Sequence, residues 1–277
     1  MTLRRPLSLL SLALCATALV GCGGDTLALD PVASAASKTA DSDSARVAFS
    51  ATVNGGSAGA MTMKGRGIFD GRTKTGSMNV DFSLPQGAQT QIGGSSSAME
   101  MIFEGHDGLV MYMRSPLFEQ QLGPNKWIKM DMKELAKKAG VDLGSLMNAN
   151  QADPNHALQM LMASSNARVS GSDTIRGVRT TRYSFHVDLR RLADENKALR
   201  DSLESVIKVM GVDGYPAEAW IDAQGLVRRL KLAMSFNTPQ GAVAMTMVED
   251  LYDFGVRAEI SPPADDEVVD LSSLLGG

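Results

Sequence analysis

Between Arg46 and Phe254 the chain returns again and again to an alternation of apolar and polar residues, and this period of two constrains the fold more than any other feature. Met78, Val80, Phe82 and Leu84 alternate with Asn79, Asp81 and Ser83, while Leu230, Leu232, Met234 and Phe236 alternate with Arg229, Lys231 and Ser235. Successive side chains on a strand point to opposite faces, so each segment has one dry side and one wet side. Short runs of this kind, separated by Gly, Asp and Asn, predict antiparallel strands joined by hairpins.

The predicted strands fall into groups. The first holds residues 46–53, 61–69, 77–84, 98–104, 109–114 and 127–131, with Gly105-His106-Asp107-Gly108 as one of its turns. A short helix at 132–139, ended by Gly140, and a second at 155–163, opened by Asp153-Pro154, interrupt the pattern. A hairpin of 167–173 and 178–188 turns at Ile175-Arg176-Gly177, and a longer helix at 189–210 closes at Gly211. Strands 217–222, 226–236 and 243–254 finish the chain, the first two meeting at Asp222-Ala223-Gln224-Gly225. This is the layout of an α+β domain on one antiparallel sheet of about eleven strands. A twisted sheet of that size must curl or close, and helices laid over its concave side would enclose a space.

The dry face is unusual in its choice of side chain. The chain holds 17 Met against 8 Phe, 2 Trp and 4 Tyr, so flexible thioethers rather than rigid rings supply much of the surface. Methionine adapts to varied apolar partners, yet it also fills ordinary cores, and periodicity does not separate a lined cavity from a filled one. Under the cavity reading, the first meander would line the space with Met63, Val80, Phe82, Met101, Phe103, Met111 and Met113. The helices would add Leu161 and Ile207, and the closing strands Leu232, Met234, Met245 and Met247. Acyl chains suit such walls, because they ask for adaptable apolar contact and no directional bonds.

The N-terminus predicts how such a domain is held. Met1-Thr2-Leu3-Arg4-Arg5 precedes an apolar run from Leu7 to Val20, the order of a signal-peptide n-region and h-region, and the run is short for a membrane-spanning helix. Leu19-Val20-Gly21-Cys22 resembles a bacterial lipobox, in which the cysteine thiol receives diacylglycerol before cleavage. The expected organisation is a signal peptide at 1–21, lipid on Cys22, a flexible Ala-, Ser- and Asp-rich tether at 22–43, the sheet domain at 44–271 and a tail at 272–277. The expected location is the extracytoplasmic face of the cell membrane. The chain has only 2 Cys, and Cys15 falls inside the signal segment, so the mature chain would hold no disulfide, thiol nucleophile or cysteine-based zinc site.

No enzymatic constellation emerges. His106, His156 and His186 are scattered over a turn, a helix start and a strand, and His186 with Asp188 lacks a third nearby ligand. Ser95-Ser96-Ser97 after Gly93-Gly94 lacks the order of a nucleophile elbow. Arg190-Arg191 and Arg228-Arg229 could meet an anionic headgroup or simply be solvated. Asp265-Asp266-Glu267 reads as a solubilising tail. Basic residues are dispersed over a chain of net charge −4, so no nucleic-acid surface is expected, and no cofactor or metal.

Three stretches carry a family likeness: Gly177-Val178-Arg179-Thr180-Thr181-Arg182-Tyr183; the run from Pro216 through Trp220-Ile221-Asp222 and Gly225 to Leu230; and Asp253-Phe254-Gly255 with Pro262-Pro263. In these the chain resembles the LppX/LprG-type bacterial lipoproteins, related in architecture to the half-barrels of the Lol lipoprotein carriers. The resemblance implies a curved half-barrel with helices over its concave face. It also implies a cavity for lipid or glycolipid acyl chains, non-enzymatic carriage of them across the envelope, and an envelope transporter as a further partner. The alternative reading is an assembly or sensing module with a filled core.

Overall fold

The structure, a computed structural model, describes residues 31–55, 60–83, 97–105, 109–134, 164–195, 200, 203–204, 207–208, 211–238 and 241–274. Six strands form the first meander: β1 (Ser44–Gly55), β2 (Met61–Asp70), β3 (Thr75–Ser83), β4 (Ser97–Glu104), β5 (Val110–Arg114) and β6 (Trp127–Asp131). A second meander follows with β7 (Ser164–Ile175), β8 (Val178–Asp188), β9 (Gly214–Asp222), β10 (Val227–Thr238) and β11 (Gly241–Tyr252). A last strand, β12 (Val268–Asp270), lies near the C-terminus. Helices delimited among the described residues are α1 (Pro31–Ala40), α2 (Pro116–Leu122), α3 (Leu189–Glu195) and α4 (Leu271–Leu274).

All twelve strands belong to one sheet, ordered β12-β6-β5-β4-β3-β2-β1-β11-β10-β9-β8-β7. The meanders join where β1 lies antiparallel to β11, in register from Arg46 opposite Tyr252 to Gly55 opposite Val243. The two ends of the order, β12 and β7, do not pair, so the sheet is open. Adjacent strands rotate by roughly 20–25°, and over this many strands the sheet curls into a half-barrel of the α+β class. One strand exceeds the expected number and breaks the antiparallel rule: β12 runs parallel to β6, Val268 opposite Trp127. Asp265–Glu267, expected to be a solubilising tail, form the 3-10 turn that leads into it. Three residues are too few to register a period in the sequence.

The turns follow their residue chemistry. Arg176 and Gly177 both take positive φ, 48° and 84°, the two-residue connection whose twist matches that of β7 and β8. Between β9 and β10, the Asp222 carboxylate accepts the N–H groups of Gln224 and Leu226, each at 2.9 Å, and the Arg228 guanidinium at 2.6 Å. Between β2 and β3, Asp70 accepts the Arg72 N–H at 3.0 Å and pairs with its guanidinium at 3.1 Å. These bonds, the guanidinium foremost, hold the Asp70 carboxyl below the usual carboxylate range.

The largest departure from expectation is α1. Composition reads residues 22–43 as a flexible tether, but Pro31–Ala40 is a helix whose Val32, Ala35, Ala36 and Thr39 are buried. Those positions follow the i, i+3, i+4, i+7 spacing of a helix face, and their small size lets the helix lie close on the sheet. They pack with Leu189, Leu192 and Ala193 of α3, with Leu203, and with Phe185, Ala217, Ala219, Val227, Leu230 and Leu251 of the sheet. The helix α2 was also unforeseen; Pro116 opens it and Gly123, at φ 89°, follows it. Of the long helix expected at 189–210, the described parts are α3, Arg200, Leu203–Glu204 and Ile207–Lys208, all helical, and Gly211 donates to the Ile207 carbonyl at 2.8 Å. The helix expected at 132–139 is described only to Glu134, where it is helical, and the one at 155–163 lies outside the described residues.

Candidate functional site

Strand register decides which candidates share a surface. Met63 lies opposite Phe82 and Ala51, Ala51 opposite Met247, and Met247 opposite Leu232, so one row crosses both meanders. A second row runs from Met113 through Met101 and Met78 to Gly67, Val47 and Leu251. A third joins Met111 to Phe103, and a fourth joins Met234 to Met245. Val80 falls between, opposite Met99 and Gly65. Every candidate carried by a strand therefore lies on the same face. Val80 and Leu232 are buried, and Met63, Phe82, Met101, Phe103, Met111, Met113, Met234, Met245 and Met247 are half-buried. Ile207 is half-buried and packs against the helix-covered core. Leu161 and Cys22 lie outside the described residues.

The face divides in two. Over β8 to β10 the face joins α1 and α3 in one buried core, which Leu251 of β11 and Val47 of β1 border. Over β2 to β6 the face carries Met, Phe, Val and Ile side chains, together with Gly65, Gly67 and Gly76. Gly65 has a visible purpose: a Cβ there would overlap Cε1, Cδ1 and Cζ of Phe49, so the aromatic ring lies across the Gly65 backbone. That ring thus leans from β1 toward β2, away from β11.

One residue breaks the apolar series. Along β11 the face receives Val243, Met245, Met247, Glu249 and Leu251 in turn, and the Glu249 residue is 9 % exposed. Burial, with repulsion from neighbouring Asp250 second, pushes its carboxyl up to about 7. Sequence reading took the face as apolar throughout and missed it. The signal was present as an acid in the apolar phase of 243–251.

The opposite face is polar and internally paired. Asp250 accepts Arg229 at 2.6 and 3.0 Å and Arg176 at 3.0 Å, and Lys231 meets Glu218 at 2.9 Å. Trp220 donates its indole N–H to Asp173 at 2.8 Å, with the guanidinium groups of Arg182 and Arg229 each 6.0 Å from its ring centroid. Arg114 stacks 4.6 Å from the Trp127 ring. Tyr112, on this side, donates to Glu104 at 3.1 Å; burial first, then that carboxylate, pushes its phenol up to about 12. Arg228 and Arg229, weighed as headgroup contacts, are committed to Asp222 and Asp250, and Arg190 lies 3.5 Å from Asp213. His186 is exposed on β8, while His106 and His156 lie outside the described residues. Among the described residues no cluster of His, Cys, Asp or Glu could hold a metal ion, and no helix is long and apolar enough to cross a membrane.

No protein-family model matches the chain. It is 26 % identical over 159 residues to a 31.2 kDa protein of Streptomyces griseus, an alignment covering 55 % of this chain and 50 % of that one. It is 27 % identical over 161 residues to a Streptomyces coelicolor protein named "Putative lipoprotein", covering 57 % of this chain and 47 % of that one. The chain therefore spans about half the length of each of these relatives. Similar solved structures include LprF from Mycobacterium bovis, at TM-score 0.44 and 16 % identity, covering 84 % of this chain and 95 % of that one. The Mycobacterium tuberculosis lipoprotein LppX is similar at TM-score 0.44 and 12 % identity, covering 86 % and 100 %. Both are proteins of the LppX/LprG family that the sequence resembles.

Proposed function

We propose that this chain is a lipoprotein, anchored through lipid on Cys22, that binds the acyl chains of a lipid or glycolipid against the apolar face of its curved sheet and carries them across the cell envelope. The observation behind the reading is the continuous methionine-rich face that runs in register from β5 to β10, half-buried over the β2 to β6 side. Burial of a methylene is worth about 0.8 kcal/mol, so an acyl chain laying ten methylenes on such a surface gains about 8 kcal/mol before the costs of association. Among the described residues no polar constellation suited to catalysis accompanies the face, and the Streptomyces coelicolor relative bears the name of a lipoprotein. Delivery to an envelope transporter belongs to the same reading.

The test is recovery of ligand. The full chain, expressed in a bacterial host and purified in detergent, should carry acyl lipid that native mass spectrometry detects, and Cys22→Ala should release the protein from the membrane fraction. Repeated recovery of lipid-free protein would overturn the reading. One observation favours the second reading, an assembly or sensing module: over β8 to β10 the same face is already covered by α1 and α3. Lipid-free protein retained by an envelope partner would establish that function instead.

A further inference from the structure

Glu249 sits in the middle of the apolar face rather than at its margin. In the ladder it lies between Phe49 of β1 and Leu230 of β10. Its row continues through Gly65, Val80 and Met99 on one side and through Ala219 and Tyr183 on the other. The residue is 9 % exposed, and no hydrogen-bond donor or cation meets its carboxyl group among the described residues. The Phe49 ring, drawn over Gly65, leans away from it.

Charged groups nearby are engaged elsewhere. Asp250, its chain neighbour, points to the opposite face and is held by Arg229 and Arg176. On the face itself β1 brings Val47, Phe49 and Ala51, and β10 brings Leu230 and Leu232. The titratable group in the row is the phenol of Tyr183 on β8, and that of Tyr215 on β9 lies two rows away. Of the helices over this side, α1 carries Lys38, which donates to the Gln224 carbonyl at 2.5 Å. Around α3, Arg190 pairs with Asp213, Arg200 with Asp194, and Arg191 is exposed.

A carboxyl largely withdrawn from water and without a donor among the described residues favours its acid form, which offers one O–H donor and one carbonyl acceptor. A lipid ester supplies an acceptor and a free glycerol hydroxyl supplies a donor. An ammonium headgroup fits less well, since it would bring a second charge out of water into a row that has no further acceptor for it. We propose that Glu249 is the polar subsite of this face, its uncharged carboxyl donating to the ester carbonyl of a neutral acylglycerol and accepting from that ligand's hydroxyl. The proposal rests on the acyl-binding reading above and adds to it a class of ligand. Ionisation removes the donor, so the ligand is held at lower pH and released as the pH rises through about 7.

Native mass spectrometry of the full chain in detergent, with dioleoylglycerol or with octadecane as probe, tests this near about pH 6 and about pH 8. Wild-type affinity for dioleoylglycerol should fall about tenfold between those values. Glu249→Gln should bind it equally at both. Glu249→Leu should lose about tenfold in dioleoylglycerol affinity at the lower pH, the worth of one net hydrogen bond, while holding octadecane at least as well as wild type. Thermal unfolding of both variants checks that they fold. Undiminished dioleoylglycerol binding by Glu249→Leu, or wild-type affinity that rises with pH, would overturn the subsite and leave acyl binding standing. A wild-type protein that takes up neither probe overturns the acyl-binding reading and the subsite with it.

Discussion

Thr39 and Val227, 188 positions apart, share a buried hydrogen bond in which the Val227 N–H donates to the threonine hydroxyl oxygen at 2.9 Å. The hydroxyl in turn donates to the Ala35 carbonyl at 2.7 Å, one turn back along α1. Register between β9 and β10 shifts between Val227 and Arg229, so the Val227 amide lies at an irregularity in the ladder and α1 supplies its acceptor. The N-terminal helix thereby satisfies a backbone group of the sheet.

Thr39→Val keeps the shape of the side chain and removes the acceptor. A buried N–H left without a partner costs about 1–3 kcal/mol, so chemical denaturation should show that loss. Thr39→Ser, which keeps the hydroxyl, should lie much closer to wild type.

Glu249 makes stability depend on pH. Its carboxyl is raised from 4.5 to about 7 in the folded protein, so between those values the native state holds a proton that the unfolded state has released. Stability therefore falls as pH rises through this window, and the deficit is complete above the folded value. Glu249→Gln should stabilise the protein by about 3 kcal/mol near pH 8, with the gain vanishing below about pH 4.5. Denaturant midpoints measured across this range would reveal the slope, and a pH-independent difference would refute it.

Gly65 makes room for the Phe49 ring. Gly65→Ala should force the ring or the strand to shift and cost about 1–3 kcal/mol. Phe49→Ala in the same chain removes the clash, so a double-mutant cycle on unfolding free energies should give a favourable coupling of about 1 kcal/mol or more.

Asp222 has a side chain with no exposed area, and its partner Arg228 is 17 % exposed. Asp222→Ala removes the acceptor for two amides and strands a largely buried guanidinium, which should cost about 3–5 kcal/mol. Asp222→Asn keeps Oδ1 as acceptor for both amides and loses only the pairing with Arg228, so its thermal midpoint should fall by less.

Much of the sheet was legible because alternation is a local property. Each run of apolar and polar residues identifies a strand and its dry side with no knowledge of neighbours, and Asp222 to Gly225 and Arg176-Gly177 mark turns by their own chemistry. The helix α1 escaped because its buried face is made of Val32, Ala35, Ala36 and Thr39, residues too small to raise the apolar content of the segment. The strand β12 escaped because three residues show no period, and its existence depends on the free edge of β6.

The alternating pattern was thus sufficient to specify an antiparallel α+β domain with one dry, methionine-rich face, and to nominate the side chains on that face. It could not specify that β1 meets β11, since a strand's own residues set which way its side chains point but not which strand lies beside it. That pairing sets Phe49 beside Glu249, opposite its hairpin neighbour Leu230, and leaves the carboxyl largely buried with no donor among the described residues. A lone acid in the apolar phase of 243–251 is an oddity in one dimension. It becomes a candidate ligand contact only when strands distant in the chain withdraw water from it, because desolvation is a property of the packed surroundings and not of the residue.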